Sequence, residues 1–266
     1  MSDQTILEVT GVSKSLVSAG GEATLVNHDI HMRVRRGEFV SIVGPSGAGK
    51  TTLLRTLSGL LGPDAGAVSH GGREVDGVPR WLSVVFQEYN KTLFPWRSVT
   101  ANVALAIRDR PKAEIAELVQ RALHQVGLPD VGGKYPWELS GGMQQRVALA
   151  RAMVSSPELV LMDEPFASVD ALTRAKLEDV VLDLWRQAGF AALLVTHDIG
   201  EAVYLSDRVL VLSARPSTII SEVVVDLPRP RVQTETRAQE RFHALHNEIL
   251  ALVEDAGVAV PVGAHG

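Results

Sequence analysis

A glycine loop follows an apolar strand in the stretch Phe39-Val40-Ser41-Ile42-Val43-Gly44-Pro45-Ser46-Gly47-Ala48-Gly49-Lys50-Thr51. Its second part matches the phosphate-binding pattern G-x-x-x-x-G-K-[ST]. Residues Thr52 to Gly59 then read as a helix. Strand, glycine loop and helix in this order are the context that the pattern requires. The stretch therefore predicts an α/β fold with a nucleotide phosphate site at this turn.

The residue types of this loop suit phosphate binding. Gly44, Gly47 and Gly49 allow backbone N–H groups to turn toward phosphate oxygens, and the helix N-terminus adds a partial positive charge. Lys50 can reach the β- and γ-phosphates, and the Thr51 hydroxyl can ligate Mg²⁺. A glycine-rich turn without a ligand is the alternative.

A second anion site is predicted where Leu139-Ser140-Gly141-Gly142-Met143 leads into a helix. Ser140 can cap this helix, and the two glycines leave its first N–H groups open to an oxyanion. The apolar face of the helix is expected to comprise Met143, Val147, Ala150 and Val154. Alone, the motif is also compatible with a flexible turn. Two phosphate sites in one chain indicate that two chains share each nucleotide.

Acidic residues follow the apolar run Leu159-Val160-Leu161-Met162, which reads as a buried parallel strand. Ligands of open α/β sheets bind at the carboxyl ends of strands, where Asp163 and Glu164 lie. We predict that Asp163 holds Mg²⁺ and that Glu164 polarises the attacking water as a general base. A helix-capping or solvated acidic pair is the alternative.

A histidine follows another apolar strand, Ala192-Leu193-Leu194-Val195-Thr196. A lone histidine at such a position is more often structural, but the neighbouring phosphate-site motifs favour a functional role for His197. Asp198 and Glu201 have the spacing of a capping box for the next helix.

The order of the predicted strands and helices divides the chain into several structural regions. Residues 6 to 43 read as short strands with a turn at Ser18 to Gly21, and residues from about Glu88 to Pro157 as mainly helical. From Leu159, strands alternate with helices, which predicts a mostly parallel sheet. One helix within the helical part is indicated by Ile115, Leu118, Val119, Ala122 and Leu123. A C-terminal helix with one apolar face is indicated by Phe242, Leu245, Ile249 and Leu252.

Composition narrows the class of protein. The 266 residues are 45% hydrophobic and 21% charged, which suffices for an ordinary core. No stretch approaches the ~20 apolar residues of a membrane span, and the N-terminus lacks the pattern of a secretory leader. The absence of cysteine excludes disulfides, and a net charge of −5 offers no basic surface for nucleic acid.

Taken together, the motifs from about Leu7 to about Pro230 resemble those of the nucleotide-binding subunit of an ATP-binding cassette (ABC) transporter. They appear in the family's order: Walker A at Gly44 to Thr51, the Q-loop at Gln87, the signature at Leu139 to Arg146, Walker B ending in Asp163-Glu164, the D-loop Ala167-Ser168-Val169-Asp170 and the H-loop histidine His197. The resemblance implies a P-loop NTPase (RecA-like) core with a mostly parallel sheet. An N-terminal antiparallel β-subdomain and an inserted α-helical subdomain carrying the signature (about residues 88–157) complete an ATPase domain over residues 1–230. Residues 231–266 would form the C-terminal helix and tail.

The resemblance also implies roles and partners. Two copies of the chain would sandwich two ATP molecules, each between one chain's Walker A and the other chain's Ser140, Gly141 and Gly142. Glu164 would be the catalytic base, His197 would contact the γ-phosphate, and Gln87 would contact Mg²⁺ and the attacking water. Separate permease subunits would form the pore, a solute-binding protein would act indirectly, and the chain would lie peripherally at the cytoplasmic face of the membrane.

Further sequence segments are similar to those of importers of the nitrate, alkanesulfonate and taurine group. They comprise Leu93-Phe94-Pro95-Trp96, Arg215-Pro216 and Val225 to Arg231. The aromatic residues after Gln87 are compatible either with core packing or with a groove for the permease. An exporter or lipid-transport ATPase, or a cassette ATPase without a membrane partner, remains an alternative to an importer. This sequence does not identify the transported solute, because the residues that contact the solute lie in other subunits.

The chain departs from the family at the adenine. Cassettes stack the base on an early aromatic residue, and the matching place here is Leu16. No Phe, Tyr or Trp precedes Phe39, so another register within this region does not supply a ring. His28 or His31 would reach the base only if the loop folded back.

Overall fold

The computed structural model describes residues 4–18, 20–75, 77–87 and 92–257, which form two sheets and the helices around them. The strands are β1 (Thr5–Val17), β2 (Ala23–Arg35), β3 (Phe39–Val43), β4 (Ala65–His70), β5 (Arg73–Glu74), β6 (Leu82–Val85), β7 (Leu159–Asp163), β8 (Ala191–Val195), β9 (Arg208–Leu212) and β10 (Ile219–Val224). Among the described residues, the α-helices are α1 (Lys50–Leu57), α2 (Val99–Val103), α3 (Lys112–Gln125), α4 (Gly141–Met153), α5 (Ala171–Ala188), α6 (Ile199–Leu205), α7 (Gln233–Arg237) and α8 (Glu240–Gly257).

The larger sheet has the order β10-β9-β3-β8-β7-β6, and only β10 at its edge runs antiparallel. Strands β3, β7, β8 and β9 are buried along their whole length. This burial explains why their sequences are continuous apolar runs rather than alternating ones. The phosphate-loop strand β3 lies inside the sheet between β8 and β9. The predicted parallel core is confirmed.

The smaller sheet is antiparallel, with the order β2-β1-β4-β5. The prediction of short strands was wrong here, because β1 and β2 are each 13 residues long. The pairing of β1 with β2 contains irregularities, for example between Val9 and Val12, across which both strands continue. Gly11 within this interval has a φ of 63°, and Asp29, in the next irregularity opposite Val12 to Lys14, has a φ of 48°. A β-bulge of this kind bends a strand without ending it.

The helical segment lies between β6 and β7, as the sequence predicts. In α3, Val119, Ala122 and Leu123 are buried, and the helix ends just before Gly127, whose φ is 70°. Helix α4 buries Val147, Ala150 and Val154. Ile115, Leu118 and Met143, also predicted for these faces, are half-buried against the same core, so both patterns predicted the correct side of each helix.

The C-terminal helix α8 packs on α6 and on β9 and β10. Its residues Phe242, Leu245 and Ile249 are buried in the same core as the parallel sheet. The division into an ATPase domain (1–230) and a C-terminal segment (231–266) stays a prediction. No helix in the described ranges is both long and apolar enough to cross a membrane.

Candidate nucleotide site

A cleft of about 440 Å³ lies at the carboxyl ends of the parallel strands. The segments that follow β3, β7, β8 and β9 all contribute to its wall, as expected for a ligand site of an open α/β sheet. Its lining residues are Ser46, Gly47, Gly49, Lys50, Thr51, Thr52, Glu164, His197 and Arg215.

The glycine loop has the backbone that a phosphate site needs. Gly47 and Gly49 have φ angles of 78° and 92°, in the left-handed region that disfavours other residues. A Cβ on Gly49 would stand 2.3 Å from Val26 Cγ1, whereas one on Gly47 would meet nothing within 4 Å. Gly49 is therefore fixed by packing and conformation, and the open space at Gly47 can accept a ligand. The residues present fit a phosphate chain.

Lys50 is buried and points back along the loop. Its Nζ donates to the carbonyl oxygens of Gly44 (2.9 Å) and Pro45 (3.0 Å). Burial lowers the pKa of Lys50, and the nearby carboxylates of Glu164 and Asp163 partly oppose this shift. These carbonyl contacts hold the ammonium group at the mouth of the loop, where it can exchange one of them for a phosphate oxygen.

Thr51 and Asp163, two side chains predicted to ligate Mg²⁺, are in direct contact. Thr51 Oγ1 donates to Asp163 Oδ1 over 3.0 Å, and Asp163 is only 3% exposed. Burial raises the pKa of Asp163, while the Thr51 hydrogen bond lowers it. The described residues contain no group of three or more His, Asp or Glu arranged for a metal. A hydroxyl beside one carboxylate fits Mg²⁺, which proteins commonly hold with one or two side chains plus substrate phosphates and water.

Three predicted catalytic side chains meet at one carboxylate oxygen. Glu164 Oε2 lies 3.0 Å from His197 Nδ1 and accepts from Gln87 Nε2 over 3.2 Å. Glu164 has a φ of 43°, and its backbone N–H donates to the Val195 carbonyl over 2.8 Å. Holding an acidic residue in the left-handed region costs conformational energy. The hydrogen bond to strand β8 offsets this cost. The structure thus brings together Gln87, Glu164 and His197, which are far apart in sequence.

A buried polar network fixes the segment that carries His197. Thr196 Oγ1 donates to Glu201 Oε2 over 2.7 Å and accepts from the Asp198 N–H over 3.0 Å. The capping-box expectation is half correct: Asp198 accepts from the Glu201 N–H, but the Glu201 side chain binds Thr196 instead of returning to Asp198. Arg174 on α5 donates to Asp198 over 3.0 Å and lies 3.6 Å from Glu201.

The signature residues do not line this cleft. Ser140 caps α4 by accepting from the Met143 N–H over 3.4 Å, as its position predicts, and both Ser140 and Gly141 are exposed. Gly142 is buried, and a Cβ there would stand 2.6 Å from Thr173 Cγ2. A single described chain therefore presents this helix N-terminus separately from its own phosphate loop.

Two further sequence expectations have clear positions. Leu16 lies near the end of β1, is 40% exposed and pairs with Thr24. Phe94 and Trp96 are 39% and 69% exposed and form an edge-to-face pair with ring centroids 5.3 Å apart. These exposures exclude the core alternative for both rings. The part of the aromatic segment at residues 88–91 lies outside the described residues.

Arg215 was missed by the sequence reasoning as a site residue. It follows the apolar strand β9, and an application of the strand-end rule to that run would have found it.

The fold and the cleft together define a P-loop nucleotide-binding protein. The chain belongs to the ABC transporter family, whose model matches residues 27–167.

Similar proteins agree with this assignment. An uncharacterised ABC transporter ATP-binding protein of Methanocaldococcus jannaschii is 43% identical over 94% of this chain and 91% of its own length. An aliphatic sulfonates import ATP-binding protein of Bacillus licheniformis is 43% identical over 84% of this chain and 86% of its own length. A nitrate import ATP-binding protein of Synechococcus elongatus is 40% identical over 88% of this chain, which spans only 36% of that relative.

Solved structures of ATP-binding cassettes share the fold. A dimeric cassette in a post-hydrolysis state with ADP and Pi has a TM-score of 0.72 and 27% identity, and it covers 83% of this chain and 99% of its own. A second dimeric cassette structure has a TM-score of 0.73 and 28% identity over the same shares.

Proposed function

We propose that this chain is the ATP-binding and ATP-hydrolysing subunit of an ABC importer, which couples closure of a homodimer to movement of a separate permease. One observation carries the hydrolytic part of the proposal. The carboxylate of Glu164 lies beside the phosphate loop and contacts both Gln87 and His197. Phosphoryl transfer requires positioning and charge stabilisation more than covalent chemistry, and this group of side chains provides both.

The residues of the loop bind and orient ATP in this proposal. Backbone N–H groups from Gly44 to Thr52 surround the phosphates. Lys50, whose ammonium group donates to two carbonyl oxygens in this structure, adds a positive charge. Thr51 and Asp163 would hold Mg²⁺, and Gln87 would contact it. Mg²⁺, when bound, neutralises charge that develops on the phosphate oxygens.

Glu164 acts as the general base, and His197 contacts the γ-phosphate. The contact of Glu164 with His197 Nδ1 holds both side chains at the same end of the cleft. The strained backbone of Glu164 is consistent with a position selected for chemistry rather than for stability.

The homodimer supplies the other half of each site. Ser140, Gly141 and Gly142 form an open helix N-terminus that is absent from the lining of the chain's own cleft. Placed over a partner's phosphate loop, this end would give the nucleotide a second anion site. The dimeric cassettes of similar fold support this arrangement.

Phe94 and Trp96 form part of the permease-binding surface. Buried Asn102 fixes their loop, because it accepts from the Phe94 N–H and donates to the carbonyls of Phe94, Arg97 and Ser98 at 2.8–3.1 Å. Exposed aromatic residues on a rigid loop are typical of interface anchors. The chain would then lie peripherally at the cytoplasmic face of the membrane. A solute-binding protein would deliver a small anion similar to a sulfonate, taurine or nitrate, in keeping with the names of the relatives.

The variant Glu164→Gln tests the hydrolytic assignment. It keeps the shape of the side chain but removes the base, so ATP turnover should fall roughly 10²–10⁴-fold while ATP binding persists. Turnover is measured with the permease present, and Glu117→Gln, on an exposed face of α3, serves as the matched control. Near-normal turnover of Glu164→Gln would assign the base to another residue.

A further inference from the structure

The turn after one parallel strand carries a charged residue that the proposed function leaves without a role. The other strand ends carry Gln87 (β6), Glu164 (β7), the phosphate loop (β3) and His197 (β8). Strand β9 lies directly beside β3, with Val43 opposite Val211. The turn after β9 places Arg215 in the lining of the same cleft.

This turn is anchored at both ends of the phosphate loop. At the start of the loop, the position of a Cβ on Gly44 would be 3.0 Å from both Leu212 Cβ and the Leu212 carbonyl oxygen, so the two backbones lie against each other. At the end of the loop, Asn27 Nδ2 donates to Ser217 Oγ over 2.8 Å and lies 3.4 Å from the Gly49 carbonyl oxygen. Asn27 and Ser217 are both fully buried.

Backbone bonds make the turn rigid. The Ser217 N–H donates to Val26, and the His28 N–H donates to Ser217, each over 2.9 Å. The Ala214 N–H donates to Ala256 at the end of α8 over 3.1 Å. The residues on either side of Arg215 are therefore fixed relative to the phosphate loop, so the backbone of this turn does not have to be ordered when the Arg215 side chain binds a ligand.

The charge at this position is available. Arg215 is exposed and makes no hydrogen bond or ion pair with any other described residue. Among the described residues of the lining, the other lysine or arginine is Lys50, whose ammonium group donates to two carbonyl oxygens. A guanidinium group presents several donors in a planar fork that suits phosphate oxygens.

We propose that Arg215 is a nucleotide-binding residue that contacts the phosphate chain of a nucleoside triphosphate from the β9–β10 turn of the same chain. This assignment rests on the proposed function of the cleft as an ATP site. It gives the phosphates a second side-chain cation, on the side of the loop opposite His197 in strand order. This chain lacks an early aromatic residue that could stack on the base. The contact of Arg215 with the phosphates therefore supplies part of the binding free energy that stacking would otherwise contribute.

The test compares Arg215→Ala and Arg215→Lys with the unaltered chain. Arg73→Ala is the matched control, because Arg73 is an exposed arginine on β5 in the other sheet. Binding of ATP and of adenosine is measured by titration and competition at low and at high salt. Loss of one charged hydrogen bond should weaken ATP binding about tenfold or more in Arg215→Ala. Arg215→Lys should retain part of the affinity, and adenosine binding should not change.

Salt supplies a further readout, because screening should shrink the difference between Arg215→Ala and the unaltered chain. Unchanged ATP affinity in Arg215→Ala would overturn the assignment, as would an equal loss for adenosine, which would mean a contact with the base. Lys50→Ala, titrated in parallel, separates the two proposals. If Lys50→Ala weakens ATP binding and Arg215→Ala does not, only the role of Arg215 fails. If neither variant weakens it, the cleft is not the ATP site.

Discussion

Within the cleft, the backbone of Glu164 decides what the side chain can contact. A φ of 43° turns the chain sharply after β7, so that Glu164 diverges from Asp163, the last residue of that strand. Asp163 remains buried against Thr51, whereas Glu164 reaches Gln87 and His197. Two adjacent carboxylates therefore have different environments, which is what a cation ligand and a general base require.

Leu16 provides a prediction about the base. Its exposed side chain can pack on adenine, which gives dispersion contacts and buries apolar area. It cannot stack on the base as an aromatic ring would. Leu16→Tyr should therefore tighten ATP binding several-fold, since aromatic stacking contributes ~1–3 kcal/mol per base in nucleic-acid complexes. The maximal hydrolysis rate should change little. The unaltered chain should show only weak preference for ATP over GTP.

Titrations of both proteins with ATP and GTP check this expectation. Val17→Tyr is the control, because Val17 is the next residue of β1, is also exposed, and points to the opposite face. Equal ATP affinities of the Leu16→Tyr and unaltered chains, or a strong ATP preference in the unaltered chain, would show that another group already holds the base.

At the scale of elements, ion pairs connect the segment that carries His197 to helix α5. Arg174 on α5 contacts Asp198 and Glu201, and Glu178 one turn later binds Arg237 on α7. Burial raises the pKa of Glu201 to about 7, and the carboxylates of Asp198 and Glu178 act in the same direction, against the Thr196 hydrogen bond and Arg174. The network thus contains an acid that titrates near neutral pH.

Glu201→Gln should make folding stability less dependent on pH. The folded pKa of Glu201, about 7, lies above its ordinary value of 4.5. The stabilising contribution of its protonated form is therefore complete below the unfolded pKa and is lost as pH rises through the folded pKa. The loss should be on the order of 1–3 kcal/mol. Gln cannot ionise, so this part of the decline should vanish.

Urea unfolding of both proteins at about pH 5 and about pH 8 measures this difference. The other titrating groups are common to both proteins, so their contributions cancel in the comparison to first order. Equal changes of unfolding free energy with pH in the two proteins would mean that Glu201 ionises freely in the fold.

The loop from Phe94 to Ser98 gives a second prediction at this scale. Phe94→Ala or Trp96→Ala should lower transport more than basal ATPase activity, because neither ring lines the phosphate cleft. An interface anchor typically contributes ~2 kcal/mol or more to binding. Co-purification with the permease and transport in vesicles are the measurements. Val224→Ala, an exposed apolar change on β10 at the far edge of the sheet from β6, is the control. Loss of ATP binding in the ring variants would contradict the interface assignment.

Local patterns were sufficient for most elements and for most of the residues that line the cleft. Helical spacing identified the buried faces of α3, α4 and α8, because periodicity reports burial directly. It could not give the length of β1 and β2, since the irregularities near Gly11 and Asp29 depend on pairing between strands. The strand-end rule, applied to β9, draws attention to Arg215, but only the sheet order shows that β9 lies beside β3.

In the whole molecule, the two regions predicted to bind anions lie apart. The phosphate loop lies at the carboxyl end of β3, and the exposed Ser140 at the start of α4 faces outside that cleft. The packing of Gly142 against Thr173 ties this helix end to α5. In the proposed function, each nucleotide site therefore requires a second copy of the chain.

Mixing two damaged chains tests this central claim most directly. Lys50→Ala disables a phosphate loop, and Ser140→Arg disables the helix end that serves the partner. In the mixed dimer, one composite site carries both lesions and the other carries neither, so ATPase activity of the mixture, measured with the permease present, should exceed that of either variant alone. No gain, with heterodimer formation demonstrated and with one intact site shown to suffice for hydrolysis, would contradict the shared site.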